Sequence, residues 1–189
     1  MSPCLEPTDT LIIVDVQNGF CRGGALPVLG GDEVLPVLNR WIQAAERAGA
    51  LIVASRDWHP ADHVSFRDRG GPWPVHCVQG TPGAEFHSDL RLPADAIIVS
   101  KATSREQESY SAFGGTGLGD LLRQRGVSRV WVGGLAQDYC VRATALDALR
   151  EGFEVHLIEE ATCPVSAEGG RRAIEELAAA GCFIERGGT

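Results

Sequence analysis

The sequence predicts an α/β protein: a six-stranded, mostly parallel sheet held between two layers of helices. Three observations carry that prediction. Short runs rich in Val, Ile and Leu alternate with longer stretches whose apolar residues recur at helical spacing. Several of the short runs are continuously apolar, as strands buried on both faces are. Gly49, Gly126 and Gly152 stand where helices would have to stop.

The elements follow in order. TLIIVDV (10–16) reads as the first strand. From 32 to 48, Val34, Leu35, Leu38, Trp41, Ile42 and Ala45 fall on one helical face, with Gly49 at the C-cap position. ALIVASRD (50–57) and AIIVSK (96–101) are the second and third strands. A helix over about 118–125 stops at Gly126, and RVWVGGL (129–135) is the fourth strand. A helix over about 139–150 ends at Gly152. The strand EVHLIEE (154–160), a helix over about 167–180 and the strand CFIER (182–186) complete the chain. Helices between successive strands imply right-handed crossovers and two covered faces. The exception is 58–93, rich in Pro, Gly, His and Trp and longer than connections usually run. Trp58, Phe66, Trp73 and Phe86 within it argue for an ordered, functional loop. No repeat, low-complexity tract or linker divides the chain, so residues 1–189 are expected to form one domain.

Composition excludes some functions. The 189 residues carry a formal charge of −8 and no run of Lys or Arg, which argues against a nucleic-acid partner. No apolar stretch approaches the roughly 18–20 residues of a membrane span. The start, MSPCLEPTDT, lacks the basic and apolar regions of a signal peptide, so the expected location is the cytoplasm. Cys4, Cys21, Cys77, Cys140, Cys163 and Cys182 never form C-x-x-C and are expected to be free, mostly buried thiols.

Ligands of parallel sheets bind outside the carboxyl ends of the strands. In this sequence those ends deliver Asp15, then Asp57 with His59 and His63, then Lys101, then Leu135 and Ala136 followed by Cys140. A thiol in the first turn of a helix feels the positive end of the helix dipole, which favours thiolate. With Asp15 to take a proton and Lys101 to stabilise charge, Cys140 reads as a nucleophile. In RDWHPADHVSF (56–66), Asp57, His59 and His63 offer one oxygen and two imidazoles, a set that borderline divalent metals accept. His76 is the natural fourth ligand. Cys77 is its rival, although a thiolate ligand would suit a closed structural site better. His87 and His156 have no such neighbours in the sequence and are expected to be ordinary. GGTGLGD (114–120) lacks the Lys-Ser/Thr of a phosphate loop and reads as a turn into a helix.

Five segments, DVQNGF (15–20), RDWHPADHVSF (56–66), WPVHC (73–77), SKAT (100–103) and LAQDYCV (135–141), carry a resemblance. In this order, across nearly the whole chain, they resemble the nicotinamidase/pyrazinamidase family of isochorismatase-like cysteine hydrolases. The resemblance implies a Rossmann-like three-layer αβα sandwich of the isochorismatase-like hydrolase type. It also implies hydrolysis of nicotinamide to nicotinate and ammonia through a thioester, in NAD salvage, with analogues such as pyrazinamide also accepted. Asp15, Lys101 and Cys140 match the family's catalytic triad. Asp57, His59, His63 and His76 match the ligands of one divalent metal ion, zinc foremost, with iron and manganese also tolerated. Phe20 and Trp73 match aromatics that sandwich the pyridine ring, with Tyr110 and Leu135 lining the pocket. Leu135–Ala136 matches a cis peptide that turns the Ala136 N–H toward the substrate carbonyl, beside that of Cys140, as an oxyanion hole. Gly19 stands where an Asp is common, and Gln137 where a Thr is common. The partner implied is a small molecule, neither nucleic acid nor membrane; self-association is left open.

Overall fold

Six strands, β1 (Asp9–Val14), β2 (Leu51–Asp57), β3 (Ile97–Lys101), β4 (Arg129–Leu135), β5 (Glu154–Cys163) and β6 (Phe183–Glu185), form one sheet in a computed structural model describing residues 5–187. Their order is β3-β2-β1-β4-β5-β6, and every neighbouring pair is parallel. Four helices, α1 (Val34–Ala48), α2 (Leu118–Gln124), α3 (Arg142–Arg150) and α4 (Ala167–Ala179), cover it. Cys4 and the rest of residues 1–4, on which part of the signal-peptide reading falls, lie outside the described residues. The other five cysteines are free. No helix among the described residues is long and apolar enough to cross a membrane.

Strand pleating divides the core. Leu11 and Ile13 of β1 face α1, packing with Leu38, Trp41, Ile42 and Trp131. Ile12 and Val14 face the opposite layer, against Leu118 and Leu122 of α2, Ala145 of α3 and Leu177 of α4. All four β1 residues are fully buried, which is why the strand is apolar without alternation.

Three boundaries differ from expectation for local reasons. Gly31–Glu33 form a 3-10 turn, and α1 begins only at Val34, which leaves Pro36 in the first turn, where its missing N–H costs nothing. β5 runs on to Cys163 because the register shifts between Val132 and Gly134, and pairing resumes at Gly134 with Thr162 and at Leu135 with Cys163. The helix expected from about residue 139 is a π-helical turn, Gln137–Val141, feeding α3 at Arg142. Single π turns recur at functional sites. The glycine-rich stretch is a turn into α2, with Gly115 and Gly117 at φ +71° and +74°.

Candidate active site

The sheet order reverses between β1 and β4, and at such a switch the carboxyl ends of the strands open a crevice. Asp15 lies just past β1, Asp57 ends β2, Lys101 ends β3, and Cys140 sits in the π turn after β4. All four are buried. Asp15 and Ala102 take φ of +50° and +51°, and Cys77 takes +47°. Residues with a β-carbon hold this left-handed backbone only where their surroundings impose it.

The Lys101 ammonium connects the group. It lies 2.8 Å from Asp15 Oδ2, donates to Cys140 Sγ at 3.4 Å and to the Ser109 carbonyl at 3.3 Å, and hydrogen-bonds Asp57 Oδ1. Ser55 donates to the other Asp15 oxygen at 2.7 Å. Burial raises the Asp15 carboxyl; Lys101 opposes this and Asp57 adds to it, leaving Asp15 at about 6. Burial acts against the Lys101 charge, but the two aspartates outweigh it and hold the side chain as an ammonium. Burial also pushes the Cys140 thiol well above its ordinary value, with Lys101 opposing and both aspartates reinforcing. A resting thiolate, expected from the helix dipole, is therefore not favoured: desolvation and two carboxylates outweigh one ammonium and the backbone. Cys140 at rest is a thiol with the Asp15 carboxyl close by.

Asp57, His59 and His76 are buried and place one oxygen and two nitrogens within 4.8 Å of one another. His59 Nδ1 faces the His76 carbonyl at 3.1 Å and His76 Nδ1 faces the Pro74 carbonyl at 2.7 Å. A carbonyl only accepts, so both rings carry their proton on Nδ1 and present the Nε2 lone pair. Each Nε2 lies 3.9 Å from Asp57 Oδ2, and that of His59 is buried without a hydrogen-bond partner. Burial holds both rings neutral, His59 down at about 4 despite Asp57. Burial would raise Asp57, yet Lys101 and His59 bring it below its ordinary value. Two neutral imidazoles and an ionised carboxylate aimed at one point fit a divalent cation.

His63, the other expected ligand, lies outside that triad but beside it: with His59 and Glu108 it places ligand-type atoms within 4.8 Å of one another. Its Nε2 faces the Gln107 carbonyl at 3.0 Å and its Nδ1 accepts from Ser65 Oγ at 2.7 Å. The ring proton is therefore on Nε2, and the lone pair is already engaged. Its ring instead packs 4.4 Å from that of His59, between centroids. Cys77 is also outside the set: its thiol points to the Gly83 carbonyl at 3.6 Å, and burial holds it protonated.

A concave pocket with about 560 Å³ of atom-free space, partly open to solvent, leads to these groups. Asp57, His76, Ala136 and Cys140 form part of its lining, with Phe20, Trp73, Tyr110 and Tyr139 as aromatic walls. Phe20 packs edge-on to His76 at 5.5 Å. Trp73 donates its indole N–H to Tyr110 Oη at 3.0 Å and meets Tyr139 at 5.2 Å. Leu135 does not line this space. Its side chain is fully buried against the α1 layer, and only its peptide to Ala136, which is cis, reaches the site.

Several contributors were not legible in sequence. Ser55 reaches Asp15 through the β1–β2 register, in which it pairs with Val14. Gln17, fully buried, donates to the Asp57 and Ala84 carbonyls and accepts the Asp57 N–H, each within 2.9 Å. It thereby fastens the loop after β2 to the end of β1. Glu108 and Tyr139 complete the pocket. The two departures adjoin pocket residues but are not themselves in its lining. A β-carbon at Gly19 would stand 2.8 Å from Cys77 Sγ and 2.9 Å from the Gly83 carbonyl, so a side chain there would require the backbone at Gly83 or the Cys77 side chain to shift. Gln137 donates to Thr162 Oγ1 at 2.7 Å, behind the pocket. His87 does have neighbours distant in sequence: it lies with Cys21 and Asp32, their ligand-type atoms within 4.8 Å.

Residues 9–186 match the isochorismatase domain family. The chain is 38% identical to the nicotinamidase of Escherichia coli (strain K12), over 94% of each protein. Among solved structures, the pyrazinamidase of Pyrococcus horikoshii in complex with zinc is 54% identical and superposes with a TM-score of 0.93, over 96% of this chain and 100% of that one. PnC1 from L. infantum in complex with nicotinate is 38% identical, with a TM-score of 0.90 over 98% and 96%.

Proposed function

The chain belongs to the nicotinamidase/pyrazinamidase branch of the isochorismatase-domain family, and from that premise we propose that it hydrolyses nicotinamide to nicotinate and ammonia by covalent cysteine catalysis. One observation carries the reading: Lys101 Nζ reaches both Asp15 and Cys140, at 2.8 and 3.4 Å, at the floor of an aromatic pocket that also exposes Asp57 and His76.

Asp57, His59 and His76 would hold a divalent cation, which supplies a Lewis-acidic anchor for the ring of the substrate. Phe20 and the Trp73–Tyr110 wall sandwich that ring and orient its carboxamide toward Cys140. The Cys140 proton passes to Asp15 as sulfur bonds to the carbonyl carbon. The amides of Ala136 and Cys140 receive the oxyanion, each such donor being worth about 2.7–4 kcal/mol of transition-state stabilisation in comparable sites. The carbonyl–nitrogen bond then breaks, and Asp15 returns the proton to the leaving nitrogen, releasing ammonia. A water, deprotonated by Asp15, attacks the thioester; nicotinate leaves and Cys140 regains its proton. Lys101 keeps its charge throughout, offsetting the negative charge that moves between sulfur and carboxylate.

The test is ammonia release from nicotinamide. Cys140→Ala should retain bound metal and lose turnover by about 10⁴-fold or more. Wild-type turnover in that variant would end the nucleophile assignment.

A further inference from the structure

Cys21, Asp32 and His87 come from three separate segments, the residue after the 3-10 turn Asn18–Phe20, the 3-10 turn Gly31–Glu33, and the irregular stretch before β3. A sulfur, a carboxylate oxygen and an imidazole nitrogen there lie within 4.8 Å of one another. Cys21 is fully buried, while Asp32 and His87 are half-buried and open the cluster to solvent. The arrangement is braced: the Arg22 N–H donates to Asp32 Oδ1 at 3.0 Å, and the His87 N–H to the Val16 carbonyl at 2.9 Å. The Asp89 N–H donates to His87 Nδ1 at 3.2 Å, a contact that a cation bound through that nitrogen would displace.

We propose that Cys21, Asp32 and His87 form a second metal site, selective for a thiophilic divalent cation such as zinc or cobalt and separate from the Asp57–His59–His76 set. One soft sulfur, one imidazole and one carboxylate make three different donors of the kind such cations take, with a further position left for water. The cluster does not serve as a second nucleophile, because burial and then Asp32 push the Cys21 thiol up to about 12. Its place gives the site a consequence. Cys21 follows Phe20, and Leu26, Pro27 and Val28 of the same loop line the pocket. A cation bridging Cys21 to Asp32 closes that loop at both ends, and His87 ties it to the segment before β3. Occupancy therefore stiffens one wall of the substrate pocket.

Cobalt(II) added to the full chain purified free of metal tests this. Only a thiolate ligand produces a sulfur-to-cobalt charge-transfer band in the near ultraviolet, and the Asp57 set contains no sulfur. The wild type should show the band, Cys140→Ala should keep it, and Cys21→Ser should lose it. No band in the wild type, a band that persists in Cys21→Ser, or one lost in Cys140→Ala would overturn the proposal. Because Cys21 is buried, His87→Ala provides the parallel measurement at a half-exposed position. There the cobalt concentration needed to develop the band should rise about tenfold or more, and an unchanged titration would overturn the proposal.

Discussion

Cys140 and Asp15 make the protonation of the site a matter of burial rather than of sequence. In the proposed mechanism Asp15 must be ionised to accept the thiol proton, and burial and Asp57, outweighing Lys101, raise its carboxyl to about 6. Lowering the pH through about 6 therefore protonates the base, and kcat/KM should fall on that side. Asp15→Asn should lose about 10²–10⁴-fold in activity and abolish that acid limb. A profile in Asp15→Asn with the wild-type activity and limb would remove Asp15 from the mechanism. The proposed ligand set likewise rests on single residues. His59 presents an unpartnered buried nitrogen, whereas both nitrogens of His63 are engaged. Elemental analysis should find His59→Ala depleted of metal at the Asp57 set and His63→Ala close to wild type. The reverse result would restore His63 as a ligand.

At the scale of elements, the site depends on how β1 and β4 pack side by side. Gly134 has φ +123°, and a β-carbon there would stand 2.1 Å from the Val14 carbonyl. Val14 is followed by Asp15, and Gly134 by the Leu135–Ala136 peptide, so one collision would displace the proposed base and a proposed oxyanion donor together. Gly134→Ala should destabilise the fold by about 3 kcal/mol or more, read from denaturant unfolding, and reduce turnover in the fraction that stays folded. Unchanged stability would show that the strands can part without cost. The alternating strands and helices were readable from periodicity alone, and β4 falls where RVWVGGL placed it. The π turn was not readable, because the residues that form it also suit an α-helix.

For the whole molecule, the sheet brings residues more than 40 positions apart into contact, and metal binding should report on its integrity. A cation held by the folded chain and not by the unfolded one stabilises it by about 2.7 kcal/mol at a concentration 100-fold above Kd. For a chain of this length that corresponds to a Tm increase of roughly 5–11 °C. Stripping the protein with a chelator should lower the Tm by that order and readdition should restore it, with His59→Ala showing a reduced response. An equal response in His59→Ala would place the stabilising ion elsewhere.

The sequence by itself determined which elements form, their order, and which residue types the strands deliver to the carboxyl edge. These follow from local periodicity, turn residues and strand-end positions, and the family motifs added expected roles for Asp15, Lys101 and Cys140. Only the tertiary structure decided how those groups are charged, that Ser55 and Gln17 support them, that both His63 nitrogens are hydrogen-bonded while Leu135 withdraws into the core, and that His87 meets Cys21 and Asp32. Such facts depend on register, burial and the direction of single hydrogen bonds, quantities set by neighbours distant in the chain, which no local stretch of sequence encodes.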